Sequence, residues 1–236
     1  MPWPQWAGKG PLAFIASVDC AALPHQALSL ALPADGVLLF FYFDGQVDNH
    51  EALVMCDDPQ SQAGARVIYV PAGAKAVERA MPEGLSAYPL VPLTAHVEAS
   101  VPSEEEPVLA AAFLAEGQDP EELYDHPVFD EDFLEAVFDA WPGPRHRIGG
   151  FADPVQGPVQ QEAAMAWLGQ DADWDGTGPG DQRVRAEADR LLLLAQFDSD
   201  DDADMAWGDG GCLYWLIRPE DLAARRFENA LLTWQC

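Results

Sequence analysis

Apolar residues in this chain come in short unbroken runs. Residues 12–19 read LAFIASVD, 37–41 VLLFF, 191–198 LLLLAQFD and 212–216 CLYWL. Runs of this length without polar alternation suit strands covered on both faces. Two of them repeat. Ala16 and Asp19 of the first run align with Ala195 and Asp198 of the third, at an offset of 179. The segment from Asp35-Gly36 to Phe41 aligns with Gly210-Gly211 to Leu216 at an offset of 175. Each unit is an apolar strand ending in Asp, a variable loop, a glycine turn and a second apolar strand. The pattern predicts equivalent strands at 12–19 and 191–198, related by an approximate two-fold, with Gly36 and Gly211 opening their partner strands.

Between the units the character changes. Arg66–Val70 and Leu90–Val101 read as strands punctuated by Pro71, Pro89, Pro92 and Pro102. Residues 103–141 read as helical. Ser103 and Glu106 have capping-box spacing, and Asp119-Pro120 with Glu122 gives a second start. From Asp130 to Trp141, Phe133, Ala136, Val137 and Ala140 fall on one helical face. Further helices are predicted over Val159–Leu168 and Glu220–Arg225, and a terminal strand over Leu231–Trp234. The fold class is therefore α+β: an internally duplicated, largely antiparallel β core with pseudo-two-fold symmetry and flanking helices. One domain spans 1–236, with halves at 1–101 and 142–236 and a helical connector at 102–141.

Charge narrows the function. The 236 residues carry 40 acids against 12 bases, a net charge of −28, while 49% are hydrophobic. That apolar content excludes disorder of the whole chain. The acidity argues against nucleic acid and anionic membrane surfaces as partners, and no run reaches the roughly 18 apolar residues of a membrane span. Lys9 followed by the apolar run 11–18 loosely imitates a signal peptide. Pro2, Pro4, Pro11 and Asp19 fit an internal strand better. Cys20, Cys56, Cys212 and Cys236 are far apart with no CxxC spacing, so reduced thiols and a cytoplasmic location are expected. Only Lys9 and Lys75 are lysines, which leaves ten arginines.

Four places carry candidate chemistry. Arg145-His146-Arg147-Ile148-Gly149-Gly150 combines bases with a glycine pair that can present backbone N–H groups to an anion. The simpler reading is a turn needing positive φ, with arginines paired to carboxylates. Asp171-Ala172-Asp173-Trp174-Asp175-Gly176 matches the start of a calcium loop, which makes Asp171, Asp173 and Asp175 candidate Ca²⁺ ligands. The twelfth position, however, is Gln182 rather than Glu. A second acidic loop, 198–203, lacks the sixth-position glycine. Asp19 and Asp198 are matched carboxylates at strand ends, candidates either for a shared cleft or for capping turns. Trp207 lies in a loop and either lines a groove or joins the core; core is the weightier assignment for each tryptophan. The five histidines form no metal motif, and no nucleophile elbow or P-loop occurs. No cofactor is expected apart from the calcium candidate.

The segments 3–19, 32–44, 146–157 and 191–236 together resemble the YwqG-like family, bacterial domains without an established activity. The resemblance is weakest between 45 and 140. It implies an α+β domain with internal duplication, cytoplasmic, in a setting similar to that of proteins near toxin–immunity genes. Members carry a Gly-Gly and Leu-Pro segment ahead of the Trp-Pro that stands here at Trp3-Pro4, leaving the first unit without a counterpart to Gly149-Gly150. Three functions follow in order of weight. The first is an acidic binding or immunity-type module for a basic protein. The second is a small-ligand protein or enzyme with a cleft between the repeats, lined by Asp19, Arg147, Asp198 and Trp207 beside Gly149-Gly150. The third is a calcium-binding accessory protein. Oligomeric state is not legible.

Overall fold

The apolar runs become the strands of two three-stranded antiparallel sheets. The computed structural model describes residues 1–75, 77–103, 106–117, 130–139, 143–169 and 182–236. Its strands are β1 (Gln5–Trp6), β2 (Gly10–Pro11), β3 (Ala13–Asp19), β4 (Val37–Tyr42), β5 (Ala65–Val70), β6 (Leu192–Asp198), β7 (Cys212–Ile217) and β8 (Leu231–Gln235). Its helices are α1 (Pro107–Ala115), α2 (Glu131–Asp139), α3 (Val159–Leu168), α4 (Gln182–Ala188) and α5 (Pro219–Ala223). The sheets have orders β3-β4-β5 and β6-β7-β8, and β1-β2 is a separate hairpin.

The two sheets share a register. β3 pairs with β4 from Ala13↔Tyr42 to Asp19↔Val37, with an irregularity between Phe14 and Ala16. β6 pairs with β7 from Leu192↔Ile217 to Asp198↔Cys212, with an irregularity between Leu193 and Ala195. These are the same pairs under the offsets of 179 and 175. Gly36 and Gly211 directly precede β4 and β7. A Cβ on Gly36 would lie 2.6 Å from the Val70 carbonyl oxygen, and one on Gly211 would lie 1.8 Å from that of Gln235. Each glycine is thus required by the close passage of the third strand of its sheet.

Strands β4 and β7 are apolar on both faces, so each sheet needs cover on both sides. Leu38, Phe40 and Tyr42 join Leu213, Trp215 and Ile217 in one core shared by both sheets. At its centre the Phe40 ring lies 5.0 Å from Phe197 and 5.3 Å from Trp215. The opposite face of β7, with Cys212, Tyr214 and Leu216, packs beneath α3 and α4. The opposite face of β4 is covered more thinly, by Leu12, Phe43, Ala52 and the tryptophans of the N-terminal segment, Trp3 and Trp6.

Reciprocal contacts join the sheets at their third strands. The Gln62 amide, in the 3-10 turn before β5, donates to the Leu232 carbonyl (2.9 Å) and accepts from the Leu232 N–H (2.8 Å) on β8. Phe227, in the short turn before β8, lies against Tyr69 of β5 at 5.6 Å. On α3, Glu162 accepts hydrogen bonds from Thr233 and Gln235 of β8. Burial pushes its carboxyl above the ordinary range, and those two bonds oppose the shift.

Two expectations need correction. Residues 90–101 form no strand: among the described residues they pair with none, Pro92 lacks a donor, and Leu90 is 91% exposed. Helix α1 begins with Pro107 at its first position behind Glu106, so Ser103 is not the cap. Helix α4 was not anticipated. The predicted helix start at 119–122 lies outside the described residues.

The shared core should dominate stability. Phe40→Ala is expected to cost about 3–5 kcal/mol in urea denaturation, and Phe14→Ala, on the half-buried outer face, distinctly less. Equal costs would mean that the sheets do not depend on their common face.

Candidate functional site

Gln196 is the polar interruption in the run 191–198, and it is 1% exposed. A buried amide must be fully bonded, and here it is. Its main chain exchanges two hydrogen bonds with Arg147, at 2.9 and 2.8 Å. Its side chain donates to the Arg145 carbonyl (3.1 Å) and accepts from the Asp153 N–H (3.0 Å). Residues 145–153 are thereby laid along the free edge of β6. The Arg147 guanidinium donates to the Phe151 carbonyl (2.6 Å) and meets Asp153 at 2.9 Å and Glu98 at 3.3 Å. Arg145 meets Asp153 at 3.4 Å. Both arginines are therefore internally neutralised.

Gly149 and Gly150 have φ of +71° and +75°. A Cβ on Gly150 would lie 2.6 Å from Ser100 Oγ, which itself accepts the Phe151 N–H at 3.0 Å. The pair makes a tight turn against residue 100.

Asp198 ends β6 and accepts from the N–H groups of Arg145 (3.1 Å) and Ser199 (3.0 Å). Its own N–H donates to His146 Nδ1 (3.2 Å). That bond leaves the ring proton on Nε2, which faces Asp200 at 3.1 Å. Asp200 also accepts the Asp202 N–H. Burial raises its carboxyl, but the His146 bond and the backbone donor outweigh that and hold it below the ordinary range.

Above Asp200, the loop turns back through a Met205 pairing (2.8 and 3.0 Å) and a left-handed Asp204, φ +53°. Asp201, Asp202, Asp204 and Asp209 are exposed on this loop. Trp207 anchors its far side. It is buried, donates its indole N–H to the Asp198 carbonyl (3.3 Å), and packs 6.0 Å from both Tyr42 and Tyr88. It is a core residue rather than a groove wall.

The structure thus brings Arg147, Asp198 and Trp207 together around the end of β6, with Gly149 and Gly150 on the adjoining turn. Asp19 is elsewhere. It accepts the Ala21 N–H at 3.0 Å and caps the turn after β3. No hydrogen bond or ion pair among the described residues joins it to Asp198. The calcium candidates Asp171, Asp173 and Asp175 lie outside the described residues. Among the described residues no group of three or more His, Cys, Asp or Glu is placed to hold a metal. The carboxylates of Asp198 and Asp200 bond backbone N–H groups and His146 instead.

A cleft of about 320 Å³ lies between the 59–64 turn, β5, α3 and the start of β8. Arg66, Trp167 and Glu228 line it, above small apolar residues. Trp167 is 48% exposed, with the Arg218 guanidinium 3.5 Å from its ring centre. The core assignment therefore fails for this tryptophan. Sequence reasoning missed the cleft because its residues come from three separated segments.

An α+β protein of two antiparallel sheets, closed by a strap along β6 and topped by an acidic loop, is the class these observations define. The whole chain, residues 1–236, matches the family model described as a domain of unknown function, DUF1963, and the chain belongs to that family. No curated protein matches it. Among the described residues, no helix is long and apolar enough to cross a membrane.

The turn supports a direct test. Gly150→Val forces a branched residue into positive φ against Ser100 and should cost about 1–3 kcal/mol of unfolding free energy. Gly157→Ala, with open space around its Cβ position and no positive φ, should be close to neutral. Equal melting temperatures for the two variants would remove the case for a special backbone at 149–150.

Proposed function

We propose that the protein is an acidic binding module, of the YwqG-like and immunity type, acting in the cytoplasm on a basic protein partner. Its core is an internal duplication with a pseudo-two-fold passing near Phe40 and Trp215, positions equivalent under the 175 offset. The shared register and the reciprocal contacts at β5 and β8 support that part of the reading.

One observation carries the functional part. The net charge is −28, and five of the twelve lysines and arginines are engaged within the chain, among the described residues. Arg145, Arg147, Arg190, Arg218 and Arg226 all sit in ion pairs with carboxylates of the same chain. Meanwhile Asp201, Asp202, Asp204 and Asp209 stand exposed on a loop held from below by Asp200 and Trp207, without an ion pair among the described residues. A fixed anionic surface attracts a cationic partner over long range and gives speed and selectivity of docking.

Two measurements test this. Immobilised protein should retain a basic host protein at low salt and release it as NaCl rises. Asn at positions 201, 202, 204 and 209 together should weaken retention. Retention of nothing, or retention indifferent to these changes, overturns the reading.

The second follows from the same charge. Unpaired carboxylates repel one another in the folded state, and the screening length falls from about 30 Å at 0.01 M salt to about 10 Å at 0.1 M. The melting temperature should therefore rise with NaCl across that range. A flat or falling response would mean that the acids are well spaced or well paired.

A further inference from the structure

We propose that the cleft between the 59–64 turn, β5, α3 and β8 binds a small zwitterion with an apolar side chain, of the class of a free leucine-like α-amino acid. The argument does not depend on the partner reading above. Arg66 and Glu228 line the same cleft and are not ion-paired with each other. Arg66 is half-buried and makes no ion pair among the described residues, in contrast to the five arginines held by carboxylates elsewhere. Opposite charges held apart across one cavity fit a ligand carrying both a carboxylate and an ammonium group.

The rest of the lining sets the body of the ligand. Ala63 and Ala166 offer an apolar surface, and Trp167 extends it with a ring that carries the Arg218 guanidinium at 3.5 Å. The nearby Gln62 amide is already bonded at both ends to Leu232. Charge recognition falls to Arg66 and Glu228, with the Asn229 side chain, one of whose amide hydrogens is held by Asp221, and the Trp167 indole N–H as neutral polar groups in the lining. The volume is at the small end of the roughly 300–1,000 Å³ of ligand pockets. Net charge decides between a zwitterion and a simple anion. A body at −28 repels a free carboxylate at long range and leaves a neutral zwitterion unaffected.

The test is calorimetric titration of the full chain with L-leucine, beside 4-methylpentanoate, which lacks the ammonium, and 3-methylbutylamine, which lacks the carboxylate. Leucine should bind saturably at one site, and both analogues at least about tenfold more weakly. Arg66→Met should weaken leucine by about tenfold or more at an unchanged melting temperature. Should that variant fail to fold, Glu228→Gln, at an exposed position, should weaken leucine and leave 4-methylpentanoate unaffected. No saturable heat with leucine up to about 10 mM, equal binding by a folded Arg66→Met protein, or 4-methylpentanoate binding as tightly as leucine would each overturn the proposal.

Discussion

The structure depends on burying both faces of two central strands. VLLFFY in β4 and CLYWLI in β7 present apolar side chains above and below the sheet. A three-stranded sheet exposed on one such face would be marginal in water. Packing the sheets against each other covers one face of each at a single stroke, and Phe40, Phe197 and Trp215 fill the middle of that contact. The two remaining faces are treated differently. α3 and α4 cover the β7 side, where Ala163, Ala164, Val184 and Ala188 let the helices approach closely. The β4 side has only the N-terminal segment and its aromatic rings, Trp3 on Phe41 and Trp6 on Phe43. The second sheet is thus the more deeply enclosed, and polar groups tie it down.

Two buried glutamines do that tying. Gln196 on β6 holds Arg145 and Asp153, and Gln235 on β8 accepts from the Val155 and Gln156 N–H groups (2.8 and 2.9 Å) and donates to the Gly157 carbonyl. Tyr214, on the strand between them, donates to the Asp153 carbonyl at 2.7 Å. Residues 145–157 are therefore a strap fastened to all three strands of the second sheet. The strap brings the arginines in, and Asp153 and Glu98 neutralise them. It also fixes His146 beside Asp200. An irregular segment over a sheet needs partners for its backbone, and side chains of the sheet supply them here.

How much was legible follows from the same physics. The four apolar runs, their pairing glycines and the two offsets were readable because strand burial and tight turns impose residue types locally. Helix α3 was readable from its composition, in the bounds observed. The glycine pair and its neighbouring arginines were readable as a turn with paired charges. The segment 90–101 misled because its apolar residues look strand-like, yet strand formation is decided by a partner that the sequence does not announce. Trp207 takes the core place given the greater weight and Trp167 does not, for a related reason. A loop tryptophan can be drawn inward by Tyr42 and Tyr88, and a helical one can be left outside when its helix packs through alanines. The Arg66 cleft was invisible because proximity across 160 residues is a tertiary fact.

Charge is distributed by the fold rather than spread evenly. With so few bases, each arginine that closes an internal pair neutralises one acid and is itself neutralised, which leaves most acids without a cation. The strap takes two, Glu187 holds Arg218, and Glu187 and Glu220 share Arg190. The surface field therefore comes from the acids left without a cation, and it is set by the same net charge of −28. The β6–β7 loop concentrates it without becoming loose. Asp200 caps the turn from inside, Met205 closes the loop by two main-chain bonds, and Ser199 accepts the Trp207 N–H while donating to Gly211. For the docking proposed above, a loop ordered beforehand removes part of the entropic cost of association. The exposed aspartates gain little from each other, since like charges at short range repel. What keeps them together is the apolar and hydrogen-bonded base beneath them, so the stability of the core sustains an arrangement of charges that would not assemble by itself.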